Sequence, residues 1–167
     1  MWFAYFTTMV ALATVASGFR HGAPESACKH MTPGHGVPPQ STIPPYVITP
    51  STKTVKAGTP MEVTISGKSS KDTIRGIMLQ VRGSDDKIVG TFKVDPQDSI
   101  SQPMKCDAQG DTVTHKLHDE KDDKQTVYYT WTPPAGYNDI VKFRATIVKT
   151  GEVFWVGLES APVKVTL

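Results

Sequence analysis

"IVKFRATIV" (residues 140–148) alternates, with Val141, Phe143, Ala145 and Ile147 on one side and Lys142, Arg144, Thr146 and Val148 on the other. A strand sends successive side chains to opposite faces, so this stretch predicts a β-strand with one face buried and one wet. The same period recurs elsewhere. "MEVTIS" (61–66) sets Met61, Val63 and Ile65 against Glu62, Thr64 and Ser66, and "RGIMLQVR" (75–82) sets Ile77, Leu79 and Val81 against Met78, Gln80 and Arg82. "APVKVTL" (161–167) closes with Val163, Val165 and Leu167 alternating with Lys164 and Thr166.

Further strand candidates are 88–94, 112–117, 125–131 and 153–158, separated by the turn signals "GSDDK" (83–87), "DPQDS" (95–99), "PPAGYND" (133–139) and "KTGE" (149–152). No stretch has a helical apolar stripe. Eight or nine short strands at this spacing predict an all-β fold, an antiparallel immunoglobulin-like β-sandwich. "HDEKDDK" (118–124) mixes charges of both signs and reads as a solvated hairpin loop.

Ahead of the strands, residues 19–50 are rich in Pro, Gly and Ser. Pro24, Pro33, Pro38, Pro39, Pro44, Pro45 and Pro50 exclude a helix and predict an extended arm lying on the rest of the domain. Earlier still, "MWFAYFTTMVALATVASG" (1–18) has no charged side chain and ends in small residues, which reads as a secretory signal peptide. Its apolar run is shorter than the roughly 20 residues a bilayer requires, and later segments contain no candidate span. The expected product is secreted, with residues 19–167 as one domain and no stable membrane insertion.

Export decides how two cysteines are read. In an oxidising compartment the isolated pair Cys28 and Cys106 is expected to close. Closing so long a loop stabilises by about 4.5 kcal/mol on the loop-entropy model. The formal charge of +2 is too small to argue for nucleic acid. Asn138, the single asparagine, is not in an N-glycosylation sequence.

The arm carries "ACKHMTPGHG" (27–36), which concentrates a thiol, two imidazoles and a thioether. Structural zinc wants about four Cys or His ligands, and Cys28 and His30 stand alone here. Histidines alone, among them His35 and His115, are weak candidates for a metal. A copper site for oxidative attack on polysaccharide needs His21 at the mature amino terminus, and cleavage after Arg20 breaks the small-residue rule. Nor is there a G-x-S-x-G elbow, a phosphate-cradling glycine loop or an H-E-x-x-H helix. No enzymatic activity and no cofactor are expected.

Two aromatic pairs, Tyr128–Tyr129 in "VYYTW" and Phe154–Trp155 in "VFWVG", occupy neighbouring strand positions. One ring of each pair faces outward, to be covered by the arm or left exposed as a platform for sugar or lipid. Tyr128 and Trp155 are the candidate ligand-binding rings. Lys142 and Arg144, outward on one strand, are the candidate cations for phosphate-rich ligands, with Lys53, Lys56, Lys68 and Lys71 earlier in the chain.

"GAPESACKHMTPGHG", "GIMLQVR", "VGTF", Cys106, "VTH" (113–115), "YYTWTPP" and "VKFRATIVKTGEVFWV" together resemble the reeler domain in order and spacing. The similarity is greatest to the stand-alone insect defence proteins of the noduler type. It implies a haemolymph protein that binds lipopolysaccharide, lipoteichoic acid and β-1,3-glucan and promotes haemocyte aggregation, without catalysis. It also implies that Cys28 and Cys106 form the family's first disulfide, and that Gly22, Ala23, Pro24, His35 and His115 are family positions. Ile77 and Val81 depart from residues common in the family, and the second disulfide of larger members has no counterpart. An adhesive module for host matrix is the alternative, and a copper-dependent polysaccharide oxidase a lesser one.

Overall fold

The structure is a computed structural model that describes residues 19–167. The proposed signal peptide, residues 1–18, lies outside the described residues. Eleven strands form among those described: β1 (Tyr46–Pro50), β2 (Thr54–Lys56), β3 (Met61–Gly67), β4 (Gly76–Arg82), β5 (Thr91–Lys93), β6 (Ser101–Met104), β7 (Thr112–His115), β8 (Thr126–Thr132), β9 (Asp139–Thr150), β10 (Val153–Glu159) and β11 (Val163–Thr166). One sheet has the order β1-β3-β8-β5. The other runs β2-β11-β9-β4-β7-β6, with β10 also paired to β9. The expected all-β sandwich is therefore what forms.

Three details differ from the sequence reading. There are eleven strands rather than eight or nine: β2 and β6 are short, and in β1 the outward Val47 is as apolar as its inward neighbours Tyr46 and Ile48, which hides the period. β1 even lies inside the proline-rich stretch: Pro45 precedes it, outside the strand, and Pro50 ends it with its nitrogen on the open sheet edge, where a missing N–H costs little. Second, β2 pairs β11 in parallel, so the sandwich is not wholly antiparallel. Third, the 88–94 candidate contracts to Thr91–Lys93, because Gly90 turns the chain at φ +74° against Trp131. There the Trp131 Nε1 donates to the Val89 carbonyl at 2.9 Å.

The long strand β9 organises the larger sheet. β4 occupies one of its edges, and β11 and β10 lie end to end along the other. Its Val141, Phe143, Ala145 and Ile147 face the opposing sheet and are fully buried, as alternation predicts. Phe143 meets Trp131 edge-on at 5.6 Å and Phe92 at 6.4 Å. Each aromatic or branched side chain so buried stabilises by about 1.5–3 kcal/mol before chain entropy is subtracted.

β4 breaks the wet-face expectation, since every one of its residues is buried. Ile77, Leu79 and Val81 join the inter-sheet core, while Met78, Gln80 and Arg82 are covered by the arm, residues 19–45. The arm includes a single 3-10 turn at Glu25–Ala27. Ala27 and Met31 pack on Met78 in a second apolar cluster, which puts Met31 in the left-handed region at φ 54°.

Candidate functional site

The two cysteines pin the arm to the sandwich. Cys28 and Cys106 are disulfide-bonded, with Cα atoms 5.7 Å apart, and there is no free cysteine among the described residues. Beside the bridge the side chains of β4 serve the arm's backbone. Gln80 Nε2 donates to the Cys28 carbonyl at 3.1 Å, and Arg82 Nη2 donates to the same oxygen at 2.9 Å. Gln80 Oε1 accepts from Arg82 in turn, and Thr146 Oγ1 donates to the Met31 carbonyl at 2.6 Å. Buried polar groups need partners, and here each neighbouring layer supplies the other's.

The two histidines singled out as weak metal candidates lie together at the start of this arm. His35 and His115 both line a pocket of about 40 Å³ beneath it, with Phe19, Met31, Ile77 and Val148. His115 Nε2 sits 2.9 Å from the Phe19 carbonyl, and burial lowers the imidazole's pKa below its ordinary value of 6.5. His35 packs edge-on to Phe154 at 5.3 Å. Among the described residues no group of three His, Cys, Asp or Glu side chains is placed to hold a metal ion. The observed contacts of both rings are those of packing and arm docking.

Lys142 and Arg144 do point outward from β9, but both are already answered. Lys142 Nζ is 2.8 Å from Glu159, and Arg144 bridges Glu159 at 2.9 Å and Asp86 at 2.7 Å. These cations hold β9 to β10 and to the 83–87 turn. Lys53, Lys56, Lys68 and Lys71 are exposed and have no ion-pair partner among the described residues.

The aromatic pairs divide between the two alternatives. Trp155 does not provide an exposed ring: it is buried in the inter-sheet core at 5.6 Å from Tyr46, and its Nε1 donates to Thr42 of the arm. Phe154, its outward neighbour, is covered by the arm through His35. Tyr129 is buried, its hydroxyl paired with Ser101 at 2.7 Å, whereas Tyr128 is 63% exposed.

Tyr128 stands on the outer face of the four-stranded sheet, which no arm covers. Strand register sets Thr49, Thr64 and Tyr128 in one row across β1, β3 and β8. Val47, Ser66 and Thr126 form the next row, and Glu62, Thr130 and Lys93 the row on the other side. Neighbouring rows are about 6.8 Å apart and neighbouring strands about 4.8 Å. An exposed phenol thus lies among threonine and serine hydroxyls, with Val47, Glu62 and Lys93 in the flanking rows. A pyranose ring presents an apolar face and equatorial hydroxyls, which such a surface matches by stacking and hydrogen bonding.

A family model of the reeler domain matches residues 26–167. The chain belongs to the reeler domain family. Over 165 residues it is 58% identical to "Putative defense protein Hdd11" of Hyphantria cunea, covering 99% of each chain. The "Defense protein l(2)34Fc" of Drosophila melanogaster is 36% identical over 156 residues, 93% of this chain and 94% of that one. The same domain is 32% identical to part of a Danio rerio protein named "Putative ferric-chelate reductase 1", covering 93% of this chain but 26% of that protein.

Sequence reasoning missed the polar half of this reeler domain's arm-docking surface. Gln80, Arg82, Thr112, Thr114 and Thr146 are buried and hydrogen-bonded to the arm or to one another. On a strand that alternates, a long polar residue looks solvent-facing. The available signal was the arm itself: a segment rich in proline leaves many backbone carbonyls without ladder partners, and they need donors from whatever lies below.

Proposed function

We propose that this reeler domain is a secreted, non-enzymatic insect defence protein that recognises glycans and glycolipids of microbial surfaces. Its relatives are named for defence, and the disulfide suits an oxidising compartment. No helix among the described residues is long and apolar enough to cross a membrane. The single observation that carries the reading is Tyr128, an exposed ring in the hydroxyl field of an uncovered sheet.

Tyr128 stacks on a sugar face while Thr64, Thr126 and Thr130 exchange hydrogen bonds with its hydroxyls. Anionic components, lipopolysaccharide and lipoteichoic acid, add phosphate contacts to the unpaired lysines, which act as mobile point charges. Each contact is weak, but a microbial wall repeats its sugars, so several bound copies act together and link cells to it. Haemocyte aggregation then follows from clustering rather than from a separate active site.

The test is sedimentation of purified protein with insoluble β-1,3-glucan, alongside binding to lipopolysaccharide and lipoteichoic acid over a salt series. Glucan binding should survive added salt, because stacking is not screened, while phosphate binding should weaken. Tyr128→Ala should lose the glucan. Failure of the parent protein to bind any of the three would sink the reading, and capture of haemocyte-surface proteins instead would replace it with adhesion to host surfaces.

A further inference from the structure

Among the described residues β1 is the terminal strand of its sheet, with β3 as its one partner. Two flanking bonds fix which backbone groups that pairing uses. Lys68 N–H donates to the Pro45 carbonyl at 2.8 Å and Ser51 N–H to the Glu62 carbonyl at 2.9 Å. In an antiparallel ladder the direction of these groups alternates residue by residue. Positions 45, 47, 49 and 51 therefore bond to β3, and the N–H and C=O groups of Tyr46 and Ile48 point out of the open edge.

A groove of about 620 Å³ runs along that edge. Tyr46, Ile48 and Val47 line one side, and Leu158, Ala161 and Pro162 line the other. Three charged residues border it. Glu159 is already bonded to Lys142 and Arg144, which leaves Lys68 near the Pro45 end and Lys53 beyond Pro50 as the uncompensated charges.

We propose that this edge binds an extended peptide as an added β-strand, with apolar side chains at alternate positions and carboxylates toward both ends. Unpaired N–H and C=O groups call for a backbone partner, which an acyl chain is unable to provide. Residues opposite Tyr46 and Ile48 in the added strand point the same way as they do, toward Leu158, Ala161 and Pro162. The two lysines select the acidic flanks. A second copy of this chain fits poorly, because antiparallel self-pairing brings the lysines of both copies together. The groove adjoins the Tyr128 face and shares Val47 and Thr49 with it, but the peptide assay reads the backbone of Tyr46 and Ile48 whereas glucan sedimentation reads the Tyr128 ring, so the two fail separately.

The probe is a fluorescein-labelled synthetic peptide that alternates threonine and valine, with two valines at its centre and a glutamate at each end. Fluorescence anisotropy should show saturable binding. N-methylation of both valines, which removes the donors facing β1, should weaken it by about tenfold or more. N-methylation of the threonine between them, on the solvent edge, should leave it unchanged. The double variant Lys53→Glu, Lys68→Glu should lose about tenfold. Bound peptide should also slow amide exchange at Tyr46 and Ile48 while leaving Val47 as it was. No binding up to millimolar peptide, or equal binding of the valine-methylated peptide, overturns the proposal. So does tight binding of phosphatidylglycerol vesicles that displaces the peptide without any slowing at Tyr46 and Ile48, an outcome that would make the groove a lipid site.

Discussion

Gln80 Nε2 donates a hydrogen bond to the carbonyl of Cys28, 52 positions earlier in the chain, across 3.1 Å. That contact joins the middle of the larger sheet to the arm at the point where the disulfide fastens it. The Gln80 side chain also accepts from Arg82 and donates to Thr112, so it is the shared partner of a buried network. Gln80→Leu keeps the volume but removes the acceptor of Arg82 Nε, leaving the guanidinium its bonds to the Asp86 and Cys28 carbonyls. The expected cost is about 2–3 kcal/mol, read as a lower midpoint in urea with unchanged slope. A midpoint equal to the parent's would show that the network contributes nothing.

The disulfide should protect the arm more than the sandwich. Replacing both Cys28 and Cys106 with serine is expected to cost about 2–4 kcal/mol. Amide exchange should accelerate first over residues 19–45, whose docking depends on the bridge, while β4, β8 and β9 remain slow. Uniform acceleration across the chain would instead mean that arm and sandwich unfold as one unit.

Tyr128 and Trp155 should respond in opposite ways to truncation. Tyr128→Ala removes an exposed ring and should change stability by no more than about 0.5 kcal/mol while glucan sedimentation falls. Trp155→Ala empties a core position and should cost about 3–5 kcal/mol. Comparable thermal midpoints for the two variants would contradict their placement.

Asp139 and His115 both contribute to the acid side of the stability profile. Asp139 is held down to about 2 by the Ser84 backbone N–H and hydroxyl, the Ile140 N–H and the Tyr137 hydroxyl. Its folded pKa is below its unfolded value of 3.8, so its contribution is complete above that value and is lost as pH falls from 3.8 toward 2. His115, lowered by burial, is neutral in the fold, and the unfolded chain takes up its proton first. Stability should therefore begin to fall as pH drops below 6.5, and His115→Gln should flatten that part of the profile, while Asp139→Asn should flatten the part below pH 4. Unaltered profiles in urea titrations from pH 7 to pH 2 would reject both assignments.

Lys142 and Arg144 are structural ties between strands, and removing them should be mild for ligand binding. The double variant Lys142→Ala, Arg144→Ala is expected to keep lipopolysaccharide binding within about twofold and to lose about 1 kcal/mol of stability, since exposed ion pairs contribute little. A tenfold loss of binding would make them direct ligand contacts.

Alternation along single strands was enough to specify the two-layer architecture, the core residues Phe143, Leu79 and Val63, and the opposite facing of Tyr128 and Tyr129. Those features are local: a strand's period decides them whatever lies alongside. The pairing of Cys28 with Cys106 needed only a count of thiols and an oxidising compartment. Apart from that pair, what turned on a neighbour distant in the chain needed the tertiary structure. Met78, Gln80 and Arg82 look wet until the arm is laid over them, Lys142 and Arg144 look free until Glu159 and Asp86 arrive beside them, and the open edge of β1 exists only because β3 lies on its other side. Periodicity tells a residue which face it occupies, whereas strand order and the path of the arm decide what covers that face.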